Sequence, residues 1–86
     1  MPYINQETRK ALNLGMVPMT PGELNYCMTM FCKAYVSTKG LSYQTIAEIT
    51  GVLENVKQEF YRRVAVPYEE AKMEENGDVY SPEMLP

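Results

Sequence analysis

The chain contains no histidine. The commonest general base and the commonest transition-metal ligand are therefore missing. Ser–His and Cys–His nucleophile pairs are excluded with them. Two cysteines, Cys27 and Cys32, cannot complete a structural zinc site in one chain without histidine. On a helix they stand about 140° apart around the axis, too far to bridge, so they read as buried free thiols in a reducing compartment. Tryptophan is absent, and the five glycines are scattered rather than gathered into a phosphate-cradling loop. No apolar run approaches the roughly 18 residues of a membrane span. The N-terminus lacks the cationic-then-apolar form of a signal peptide. A soluble, cytoplasmic protein with no membrane partner is the expectation. Neither an internal repeat nor a low-complexity segment is present.

What is there is short and unevenly charged. Its 86 residues make one domain at most. A chain of that length buries only about 60–65% of the surface its unfolded form exposes, which makes a homo-oligomer the expected state. Net charge is −3, which argues against general nucleic-acid binding. Residues 1–66 carry seven Lys/Arg against five Asp/Glu, whereas residues 67–86 carry one against six. The C-terminal part is an acidic appendage on a slightly basic body.

The central stretch runs from Ser42 to Val66. Ile46, Ile49, Leu53, Val56 and Phe60 recur at steps of three and four, the spacing of one apolar stripe on a helix. Ser42 sits at its N-cap, and a continuous helix here would be about 37 Å long. Residues 1–19 form an arm with a short helix capped by Asn5 and ended at Gly15. Its apolar residues require a surface to pack on, either its own body or a neighbouring subunit.

Thr20 and Glu23 form a capping box, each bonding the other's free backbone N–H, with Pro21 at N1. The helix that follows runs to Gly40, with a core stripe of Leu24, Cys27, Met28, Phe31 and Tyr35 widened by Met30 and Ala34. Only Lys39–Leu41 separates it from the Ser42 cap, which predicts an antiparallel helical hairpin. Gly51, costly in a helix interior, is read as the mark of a close backbone crossing. Pro67 should kink or break the rod. A further helical segment is then ended by Asn76-Gly77, and residues 81–86 read as an extended tail. The predicted organisation is an arm at 1–19, a hairpin domain at 20–80 and a tail at 81–86. The predicted fold class is all-α, assembled as an oligomeric helical bundle.

Two constellations could carry chemistry. Tyr61, Arg62, Arg63 and Tyr68 combine guanidinium forks that pair bidentately with phosphate and rings that stack. They are the candidate ligand-binding residues for a small anionic ligand or a partner protein, although Glu59 competes for either arginine. The bland reading is a set of surface cations paired with Glu59 and Glu69. Glu70, Glu74, Glu75 and Asp78 are clustered oxygen ligands that could hold Mg²⁺ and a phosphate chain. Their bland reading is a solvated acidic face. The E-x-x-D spacing of Glu75 and Asp78 looks like that of the all-helical MazG-type nucleotide pyrophosphohydrolases. The E-x-x-E that family carries on the preceding helix is absent here.

Several strings taken together resemble one family. They are PYI near the start, P-x-T-P-G-E-L-N-Y at 18–26, GVLE with KQEFYRR across 51–63, PYE at 67–69 and NGDVY at 76–80. The set resembles small proteins of unknown function encoded by tailed bacteriophages and related prophages. The resemblance implies an accessory role in the cytoplasm of an infected bacterial cell. By analogy with other small helical phage proteins, it implies a non-catalytic binder that inhibits a host protein or sequesters a nucleotide-type immune signal. The alternatives are an Mg²⁺-dependent nucleotide hydrolase and a structural or assembly component of the phage.

Overall fold

The computed structural model describes residues 1–86 and is all-helical, with no strand. In order the elements are α1 (Gln6–Asn13), α2 (Pro21–Lys39), α3 (Tyr43–Phe60), a π-helical turn (Tyr61–Ala65), α4 (Val66–Asn76) and a 3₁₀ turn (Pro82–Met84). The chain divides into two units, Met1–Ile49 and Thr50–Pro86.

Helix starts follow the side chains that can satisfy free N–H groups. Asn5 Oδ1 accepts from Thr8 N at 2.8 Å and opens α1. Thr20 Oγ1 accepts from Glu23 N at 3.1 Å and opens α2, with Pro21 at its first position. The reciprocal half of the capping box differs from expectation. Glu23 Oε1 accepts from Met19 N at 2.9 Å, one residue upstream of the cap. Ser42 Oγ accepts from Thr45 N at 3.1 Å and opens α3. Helix ends fall at glycines with positive φ: Gly15 (106°), Gly40 (90°) and Gly77 (87°).

In the first unit α1 packs on α2. Leu12 and Tyr26 are the buried apolar pair, 7% and 6% exposed. Tyr26 Oη donates to Asn13 Oδ1 at 3.1 Å, and the Arg9 guanidinium lies 5.8 Å from the Tyr26 ring centroid. Arg9 Nε also donates to the Ile4 carbonyl at 2.8 Å, which draws the arm onto its own helix. The arm thus packs on its own body. Gly22 is where backbone comes close: a Cβ there would stand 3.2 Å from Met1 O and 3.3 Å from Ile4 Cγ2. At Gly51 the same atom would meet nothing within 4 Å, so the anticipated crossing is at Gly22 instead.

The joint between α2 and the first turns of α3 is polar. Thr45, 4% exposed, donates from Oγ1 to the Gly40 carbonyl at 2.8 Å. Tyr35 Oη donates to Glu48 Oε1 at 2.6 Å. The apolar residues anticipated as a hairpin interior are exposed: Phe31 at 79%, Val56 at 53% and Phe60 at 63%. Leu24, Met28, Ile46 and Leu53 are exposed as well. A packed antiparallel hairpin is therefore not established. Cys27 and Cys32 are free and half-buried rather than fully buried.

Pro67 does not break the rod. The chain stays helical from Tyr43 to Asn76, with the π turn placed just before the proline. Pro67 has no N–H for the Arg63 carbonyl and its ring crowds that oxygen. The wider turn absorbs the defect, and Val66 N–H reaches back five residues to the Tyr61 carbonyl. The C-terminal residues end in a 3₁₀ turn rather than a fully extended tail.

Candidate functional site

The π turn decides where the four candidate binding residues point. In an unbroken α-helix Tyr61 and Tyr68, seven apart, share a face. One additional residue in the turn rotates everything downstream by roughly 100°. Tyr68 is carried away from Tyr61, and Glu69 arrives in its place. Tyr61 Oη donates to Glu69 Oε1 at 3.3 Å across the turn. The Tyr68 ring is exposed, with Lys72 Nζ 5.8 Å from its centroid.

The arginines are divided as well. Arg62 holds Glu59 Oε2 at 2.6 Å, and Arg63 approaches Glu59 Oε1 at 3.7 Å. One carboxylate is thus shared by two cations, each well exposed, so the pairs contribute little to stability. Arg62 lies with Asn55, Gln58 and Glu59 on one side of the helix. Arg63 lies on another, along an open, largely apolar face formed by Val52, Val56, Phe60 and Val64 and bordered by Asn55 and Glu59.

This face was only half visible in the sequence: Val56 and Phe60 belong to the stripe, whereas Val52 and Val64 flank it at steps of four.

The acidic cluster is dispersed. Glu75 pairs with Lys72 at 3.6 Å, and Asp78 Oδ1 accepts from Tyr80 N at 2.9 Å. No group of three or more Cys, Asp or Glu side chains is arranged to hold a metal ion. Glu70, Glu74, Glu75 and Asp78 are all exposed.

A family model described as a domain of unknown function, DUF6899, matches residues 1–79, nearly the whole chain. The chain belongs to the DUF6899 family. That family description assigns no activity, so function rests on the geometry above. No curated protein and no solved structure matches the chain. No helix is long and apolar enough to cross a membrane.

Proposed function

We propose that this DUF6899 protein is a non-catalytic binding protein, an accessory of a tailed bacteriophage or prophage that acts in the infected cell. The phage setting is supported by the strings quoted from residues 18–26, 51–63 and 76–80. Binding is supported by one observation above the others: the π turn at Tyr61–Ala65 interrupts a long helix at the paired arginines. Such turns are frequent at functional sites. The contact residues are Tyr61, Arg62, Arg63 and Tyr68, on the several faces around that turn. A host protein is favoured over a small anion, because both arginines already share Glu59 and the face beside Arg63 is apolar.

The test is a photo-crosslinking residue at position 68 of the full chain in infected cells, with the captured partner identified, purified and titrated. Arg62→Ala and Arg63→Ala should each weaken that titration at least fivefold. In parallel, melting is followed against nucleotides and cyclic dinucleotides, with and without Mg²⁺. A rise in Tm without turnover would move the reading to the small anion. Phosphate release abolished by Glu75→Gln would replace it with a hydrolase.

A further inference from the structure

An asparagine can close on the residue that follows it. The next backbone nitrogen, once deprotonated, attacks the side-chain amide carbon. The N–Cγ bond forms, the Cγ–Nδ2 bond breaks, and the amide leaves as ammonia with the proton the nitrogen lost. Water then opens the succinimide at either carbonyl, giving aspartate or isoaspartate. The closure is fastest where glycine follows, because no side chain crowds the attacking nitrogen and the backbone turns freely.

Asn76-Gly77 meets that requirement. Asn5, Asn13, Asn25 and Asn55 are followed instead by Gln6, Leu14, Tyr26 and Val56. The side-chain oxygen is also engaged in the first three, accepting from Thr8 N, Tyr26 Oη and Thr29 Oγ1. Asn55 stands in the interior of α3. Asn76 and Gly77 are both exposed.

The fold sets a gate on this pair. Asn76 is the last residue of α4, and the Gly77 N–H donates to the Met73 carbonyl at 2.8 Å. While that bond is made, the proton that must leave is committed to the helix. The bond is weakly defended, however. α4 buries no residue and has no basic residue in its last turn. Glu74 and Glu75 stand instead at the negative end of the helix, where carboxylates are unfavourable. The exposed Lys72 to Glu75 pair at 3.6 Å offsets little of that. A helix end with so few packed contacts opens far more often than the chain unfolds.

We propose that Asn76 is a site of spontaneous deamidation, gated by opening of the last turn of α4. This goes beyond the binding role and does not depend on it. The product loosens the turn further. It places another carboxylate at the same helix end, taking residues 67–86 from six acidic residues to seven against one basic. Isoaspartate also lengthens the backbone between 76 and 77, which puts the Gly77 N–H out of register with the Met73 carbonyl.

The test holds the full chain in neutral and in mildly alkaline buffer and maps its peptides by mass spectrometry. One aliquot receives hydroxylamine, which cleaves the chain at a succinimide. Asn76 should convert to aspartate and isoaspartate, faster in alkali, and hydroxylamine should release residues 77–86. Asn5, Asn13, Asn25 and Asn55 should stay intact. Gly77→Val strains the cap, where φ is 87°, yet crowds the attacking nitrogen, so conversion should be lost although the turn is looser. Glu74→Gln removes a charge from the helix end and should slow conversion about two- to fivefold relative to its own rate in urea, where no helix protects it. An Asn76 that converts in urea but not in the native chain would overturn the proposal. So would another asparagine converting first, undiminished conversion in Gly77→Val, or a Glu74→Gln chain indistinguishable from the parent.

Discussion

The Tyr35 hydroxyl donates a 2.6 Å hydrogen bond to Glu48 Oε1, joining α2 to the start of α3 across thirteen residues of sequence. The bond holds the Glu48 carboxyl below the ordinary value of 4.5, helped by the amide of Gln44 and the charge of Lys39. The same bond holds the Tyr35 hydroxyl above the ordinary 10.0. A carboxyl lowered on folding adds stability that is present above its unfolded value and lost as pH falls through the folded one. A phenol raised on folding adds stability that is lost as pH rises through its folded value. The joint is therefore tight between about pH 4.5 and pH 10 and loosens on both sides. Titration of the Glu48 carboxyl by NMR should give a midpoint below 4.5 that moves upward in Tyr35→Phe.

Contact between α1 and α2 depends on few atoms. Leu12→Ala should cost about 2 kcal/mol, the low end for a buried leucine, because its surroundings are only partly closed. Tyr26→Phe removes the bond to Asn13 and should cost about 1 kcal/mol. Hydrogen exchange at the α1 amides should rise in both variants while α4 amides stay unchanged.

The two helical glycines separate cleanly. Gly51→Ala adds a methyl group into open space in a helix interior and should raise stability by about 0.5–1 kcal/mol. Gly22→Ala pushes on Met1 O and Ile4 Cγ2 and should release the arm. Chemical denaturation measures the first. Loss of the Arg9 to Ile4 carbonyl bond, seen as faster exchange in residues 1–5, measures the second.

Pro67→Ala restores a donor that the Arg63 carbonyl lacks. It should lengthen the cooperative helix and raise its melting temperature, by up to about 3 kcal/mol of stability. If the turn tightens to α geometry, Tyr61 loses Glu69, and the Tyr61 hydroxyl resonance should report it.

The helix boundaries were legible because caps are local chemistry. Asn5, Thr20 and Ser42 each bond an N–H three residues on, and Gly15, Gly40 and Gly77 each take a positive φ. What those helices pack against was not legible. The stripe from Ile46 to Phe60 is plain in the sequence, yet periodicity says only that a face needs covering and never by what. Pro67 was readable as a defect, but a proline does not announce whether the helix breaks before it or widens to pass it. That choice moved Tyr68 off the side of Tyr61 and divided a candidate site that is contiguous in sequence. Glu59 was visible as a competitor for Arg62 or Arg63, but spacing alone did not say that its two oxygens meet both.

The wide turn at Tyr61–Ala65 also has a meaning for chain length. It is the room that Pro67 needs, because that ring offers no N–H and crowds the carbonyl one turn back. Taking one position out of the turn would press the two together again. A one-codon deletion there should therefore be tolerated only together with Pro67→Ala.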